Sequence, residues 1–117
     1  MPDVTVLHAL LPADLPAPRV ASLLARLPYA RRLELESRDA AARSASLLGL
    51  ELLCEGVLRL RGHALEPARL SFPQGGKPML DGGPWFSVSH TASRVAVALS
   101  ERCDLGIDLE ECHAARP

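Results

Sequence analysis

At 117 residues, with 48% hydrophobic and 23% charged side chains, the chain has the composition of one small soluble globular domain, which excludes a disordered one. A net charge of −1 offers no bulk attraction to nucleic acid or to an anionic membrane surface. Cys54, Cys103 and Cys112 are odd in number and form no Cys-x-x-Cys pair; with no leader-like start and no run near ~20 apolar residues, a cytoplasmic, non-membrane protein is expected.

Residues 4 to 10 alternate and are rich in Val and Leu, which predicts a first strand. Pro12, Pro16 and Pro18 mark a turn, and Arg19 to Leu27 reads as a short helix whose first turn tolerates proline. A longer helix is expected between Ser37 as N-cap and Gly62 as C-terminal stop. Asp39 would then sit in the first turn, where the helix dipole favours an acid. Inside it Leu50, Leu53, Cys54, Val57 and Leu58 recur at helical spacing as one apolar stripe. Gly49 and Gly56 each cost about 1 kcal/mol relative to alanine in a helix interior. Close packing against a sheet would account for them.

After Gly62 the period changes to two. Leu70 to Phe72, Trp85 to Ser89, Arg94 to Ser100 and Leu105 to Glu110 are strand candidates, separated by Pro73, Gly75-Gly76, Asp81-Gly82-Gly83-Pro84 and Asp104. Between Arg94 and Ser100, Val95, Val97 and Leu99 face one way and Ala96 and Ala98 the other. The small alanines suggest the side on which a helix lies. Helices followed by an antiparallel meander predict an α+β fold, one long helix packed on a small antiparallel sheet, in a single domain over 1–117.

The chemistry concentrates near the C-terminus. Asp108 and Glu110 are two residues apart in an apolar stretch, so in a strand they share one face, with Cα atoms about 7 Å apart. Such a pair of hard oxygen ligands suits Mg²⁺, which completes its shell with water and substrate phosphates. Just upstream, Ser87, Ser89, His90 and Thr91 offer donors for phosphate oxygens. Ser89 and His90 are not a hydrolase dyad, because neighbouring strand residues point apart. Twelve of the thirteen basic residues are arginine, and Lys77, in Gly-Gly-Lys-Pro, is the one lysine. Taken singly, each feature has a plain reading: solvated acids at a strand end, a surface histidine, a turn with a basic tip, exposed arginines at 31, 32, 38 and 43. His113 beside Cys112 reads as a solvated tail.

Their order is less ordinary. A helix with Ala-Arg-x-x-x-Leu-Leu-Gly is followed by Gly-Lys-Pro, Phe-Ser-Val-Ser-His-Thr, Val-Ala-Val-Ala-Leu and Gly-Ile-Asp-Leu-Glu. Over roughly residues 38 to 111 this resembles the 4′-phosphopantetheinyl transferases of the large, two-lobed class. The resemblance implies transfer of phosphopantetheine from coenzyme A to a serine of an acyl or peptidyl carrier protein, with release of 3′,5′-ADP. By position, Asp108 and Glu110 match the Mg²⁺ ligands, and Ser89 and His90 match residues that hold the coenzyme's phosphates. Lys77 and Pro78, with Gly75, match the loop along the adenine. Arg43 matches a helix arginine at the 3′-phosphate, its register left open, and Arg31 or Arg32 joins it.

The family's second lobe carries a Trp-x-x-Lys-Glu helix that supplies a base and a phosphate contact. With Trp85 and Lys77 the single residues of their kinds, that helix is not within this sequence, and no residue here is assigned as catalytic. The chain also lacks the layout of the small, trimeric class. The expectation is therefore the coenzyme A- and Mg²⁺-binding half, equivalent to an N-terminal lobe, partnered as a homodimer or by a separate second lobe. The alternatives are a non-catalytic coenzyme A-binding or protein-interaction module of the same fold, and an unrelated α+β interaction domain.

Overall fold

A computed structural model describes residues 4–12, 15–73 and 78–102. The chain runs β1 (Val4–Leu10), α1 (Ala17–Arg26), α2 (Tyr29–Glu36), α3 (Ala40–Arg61), a single 3₁₀ turn (Pro67–Arg69), β2 (Leu70–Ser71), β3 (Met79–Leu80), β4 (Trp85–His90) and β5 (Arg94–Ser100). This is the expected α+β class, with the 22-residue α3 as its dominant element.

Capping chemistry sets the ends of α3. The Asp39 side chain accepts from the Ala42 N–H at 2.8 Å, and Gly62 closes the helix at φ 74°, a left-handed conformation that glycine adopts without a Cβ penalty. Asp39, not Ser37, is therefore the N-cap. Ser37 belongs to the end of α2, where its hydroxyl donates to the Glu34 carbonyl at 2.7 Å. The stripe on α3 is narrower than its spacing predicts: Leu50, Leu53 and Val57 are buried, Cys54 is half-buried and Leu58 is exposed.

Three strands form the main sheet in the order β1-β5-β4, both pairs antiparallel. The architecture is not a simple meander after helices, because the first strand of the chain pairs with the last described one. Leu7 lies opposite Val97, and Val97 opposite Val88. A separate ribbon pairs β2 with β3.

α3 lies across the face that presents Leu7, Val95, Val97 and Leu99. At Gly49 an added Cβ would stand 3.0 Å from Val88 Cγ1 and 3.6 Å from Val95 Cγ1, and at Gly56 it would stand 2.6 Å from Leu99 Cδ1. The two helix glycines thus mark the close approach of helix to sheet. The expectation that Ala96 and Ala98 face the helix is overturned, because branched side chains bury more apolar area there. The glycines supply the space instead. α1, α2 and the short link between them pack against α3 and complete the core with Leu23, Leu24, Leu27 and Leu35.

Opposite α3 the sheet carries Val4, Val6, His8, Leu10, Trp85, Ser87, Ser89, Ala96 and Ala98, which follows from the strict alternation in the two registers. Val4, Val6, Leu10 and Trp85 are exposed there. Among the described residues no helix is long and apolar enough to cross a membrane.

Candidate functional site

β4 runs along the edge of the α3 layer, and its alternation creates the site. Phe86, Val88 and His90 pair with Leu99, Val97 and Val95 and point to the α3 side; Ser87 and Ser89 pair with Ala98 and Ala96 and point to the other. From Phe86 to His90 the strand climbs out of the core: Phe86 is buried, Val88 is 37% exposed, and His90 is exposed. A cavity of about 100 Å³ results, lined among others by Arg31, Ser46, Gly49, Phe72, Pro78 and His90. Gly49 deepens its floor, since a side chain there would collide with Val88.

Arg31 is the charged wall of this groove. Its guanidinium lies 4.6 Å from the centroid of the Phe72 ring, a cation–π contact that also desolvates the arginine. It donates to Glu34 Oε1 at 2.5 Å, and Arg38 donates to the same oxygen at 2.6 Å. Arg38 also reaches toward Ser46 Oγ at 3.5 Å, the outer limit of a hydrogen bond. Burial pushes the Arg31 guanidinium below its ordinary value, Glu34 pulls it back up, and Arg38 lowers it again. Arginine stays charged regardless. Two guanidinium groups sharing one carboxylate leave a net positive charge beside an aromatic and apolar wall. That combination suits an anion with a flat hydrophobic body.

The structure brings Pro78 and His90 into this one groove together with Arg31. Ser89, next in sequence to His90, is on the opposite face of β4. Arg43 is also elsewhere: it lines a separate groove of about 510 Å³ between α1, α2 and the start of α3, with Leu15, Val20, Leu24, Arg32 and Glu36. Ser46, three positions later, is the polar residue that α3 turns into the His90 groove, beside Ala45, Gly49, Leu50 and Leu53. Asp108, Glu110, Gly75 and Lys77 lie outside the described residues. Among the described residues no group of three or more His, Cys, Asp or Glu side chains could hold a metal ion.

Phe72, Ser46 and Glu34 are residues of this groove and its rim that motif reasoning passed over, and Arg38 was read only as an exposed arginine. None stands in a recognisable spacing with His90. An aromatic residue next to the Gly-rich turn was the one available signal, and it points only to something packing there.

A larger cleft of about 740 Å³ opens at the C-terminal end of α3, between the β2–β3 ribbon and the start of β4, with Arg61, Arg69, Met79, Asp81, Trp85 and Glu101 among its lining. Pro78 lies between it and the His90 groove and lines both. Arg61 donates to both carboxylate oxygens of Glu101, at 2.9 and 2.6 Å. This bidentate pair holds the Glu101 carboxyl below its ordinary value and raises Arg61.

No protein-family model and no curated protein matches the chain.

Proposed function

We propose that this domain is the coenzyme A-binding lobe of a 4′-phosphopantetheinyl transferase, acting in the cytoplasm on an acyl or peptidyl carrier protein. What supports the reading is the ordered run from Gly-Lys-Pro through Phe-Ser-Val-Ser-His-Thr to Gly-Ile-Asp-Leu-Glu. The single structural observation that carries it furthest is the meeting of Pro78 and His90 in one groove beside a guanidinium pair. In this reading Phe72 and Pro78 flank the adenine, Arg31 and Arg38 meet a phosphate, and His90 donates to another phosphate oxygen.

Asp108 and Glu110 would hold Mg²⁺, which supplies charge neutralisation on the pyrophosphate when bound. The carrier serine oxygen attacks the phosphorus next to the pantetheine arm, the bond to the bridging oxygen breaks, and 3′,5′-ADP leaves. The lobe's own part is to orient the nucleotide and stabilise phosphoryl charge with fixed donors. A base and a further phosphate contact would come from a second lobe, for which the face of the sheet opposite α3, where Val4, Val6, Leu10 and Trp85 are exposed, is the apolar surface among the described residues.

Isothermal titration with coenzyme A and Mg²⁺ tests the binding reading. Saturable heat that falls at least tenfold in affinity in Arg31→Ala and His90→Ala is expected. Absence of heat at millimolar coenzyme A, with and without Mg²⁺, overturns it. A transfer assay with an apo carrier protein, with and without an added second lobe, then separates a transferase half from a non-catalytic coenzyme A-binding module.

A further inference from the structure

Among the described residues, β1 offers the longest strand edge with no strand paired to it. β5 is central and paired on both sides, and β3 packs beside β4. β1 is seven residues long, and among the described residues no strand pairs with its outer side. Natural edges are blunted with lysine, proline, inward charges or bulges. Val4-Thr5-Val6-Leu7-His8-Ala9-Leu10 has no charged residue and no proline, and its pairing with β5 runs in unbroken register from Val4↔Ser100 to Leu10↔Arg94, without a bulge.

We infer that β1 is a self-association edge and that its occupant is β1 of a second copy, joined antiparallel about a two-fold axis at Leu7. Leu7 is the middle residue of β1, so a two-fold there pairs the whole strand. Pairing about Leu7 sets Val4 opposite Leu10, Val6 opposite His8 and Thr5 opposite Ala9, each across the seam. Val4, Val6, His8 and Leu10 are all on the open face and Thr5, Leu7 and Ala9 all on the α3 face, so this register keeps both faces aligned. It brings together Val4 and Leu10, 44% and 66% exposed, twice by symmetry. A strand without charge carries nothing that would select a foreign partner by electrostatic complementarity, whereas an antiparallel edge is complementary to itself. The product is a continuous six-stranded sheet in the order β4-β5-β1-β1-β5-β4, with α3 of both copies on one side.

This inference is independent of the coenzyme A reading and uses the edge of the sheet, not its open face. Sedimentation of the full chain over a concentration series tests it. The expected result is a shift from the 12.6 kDa chain to twice that mass, with amide-exchange protection in residues 4–10 rising in parallel. Val6→Lys should weaken association about tenfold, because symmetry places the charge at the seam twice. Val6→Thr should leave it unchanged. Val6 is 51% exposed and points away from α3, so circular dichroism should show both variants folded; Leu10→Lys is the second probe if Val6→Lys is not. A monomer at every concentration overturns the inference. So does protection of residues 4–10 that is independent of concentration, the mark of an intramolecular cover, or a dimer indifferent to both lysines.

Discussion

Alanine at Gly56 tests the closest contact between α3 and the sheet. The added methyl carbon would stand 2.6 and 3.0 Å from the two terminal carbons of Leu99 and 3.2 Å from Leu7 Cδ1, against a preferred carbon–carbon separation of about 3.5–4.0 Å. Leu99 is fully buried and Leu7 nearly so, so neither has space to retreat without moving the helix off the sheet. Overpacking of that kind costs about 1–3 kcal/mol, while replacing glycine in a helix interior returns about 1 kcal/mol. With a contact this short the clash prevails, and Gly56→Ala should lose about 1–2 kcal/mol. Urea unfolding followed by circular dichroism should show that loss at unchanged m-value, with Tm lower by about 5 °C. Gly49→Ala is the control. Its methyl would meet Val88 Cγ1 at 3.0 Å, but Val88 is part-exposed on the groove wall and can turn outward. Clash and propensity then nearly cancel, and stability should stay within about 0.5 kcal/mol of wild type. A Gly56→Ala protein as stable as wild type, or two variants equally destabilised, would refute this account of the layer.

Asp39→Ala should cost about 1 kcal/mol by removing the N-cap of α3, and Asp39→Asn should recover most of it, read by the same urea titration. Ser37→Ala should not produce a comparable loss. Glu101→Gln removes an exposed ion pair with Arg61, so at neutral pH it should cost only a few tenths of a kcal/mol. Because Arg61 holds the Glu101 carboxyl below its ordinary value of 4.5, the pair's contribution is present above that pH. It is lost as pH falls through the lower, folded-state value, so wild type and Glu101→Gln should converge in acid; a gap that persists unchanged there would sink the assignment. His90→Ala should weaken coenzyme A binding, whereas Ser89→Ala, alone or added to His90→Ala, should change it by no more than about 0.5 kcal/mol, since the two side chains leave opposite faces of β4. Coupling well above that, measured by titration of the double variant, would mean that both grip one phosphate.

Much of the fold was legible because α3 carries its own punctuation: an acid cap, a buried stripe, a glycine stop, and two interior glycines that make sense only against a sheet. Where reading failed, two local signals competed or a long-range contact decided. Ser37 and Asp39 are both good caps two residues apart, and the choice turned on α2, whose sequence YARRLELE has too few apolar positions to announce a helix. Leu35 is its one buried residue; tertiary packing holds that helix, not propensity. The strand at residues 4–10 was visible, but its partner stands more than eighty residues away, beyond the reach of periodicity. At the site, Pro78 and His90 were legible as motif members. Arg43, whose register the motif left open, lines a different groove one helical turn away, and spacing along a sequence does not report the rotation of a helix about its axis.

The alternation that separates Ser89 from His90 also divides the work the domain could do. His90 faces α3, with Arg31, Phe72 and Pro78, in a groove that this domain builds from its own residues. Ser89 faces the other way, with Ser87 and Trp85, on the side where β5 is alanine-rich and the flanking strands show Val4, Val6 and Leu10 to solvent. A strand reading Val-Ala-Val-Ala-Leu is apolar on both faces, which is the pattern of a strand covered on both sides, yet among the described helices α3 is the one packed on β5, and it covers one face. The nucleotide half of a ligand can therefore be held by one lobe, whereas any group that must touch Ser89 at the same time has to pass the end of β4 beside Thr91 and Ser93, or approach from whatever covers the open face. A transferase built this way would bind its donor in one layer and complete its chemistry only at the seam with a second. Under the proposed function, coenzyme A affinity and phosphopantetheine transfer are therefore separable properties, the first belonging to the α3 groove and the second to the opposite face of the sheet.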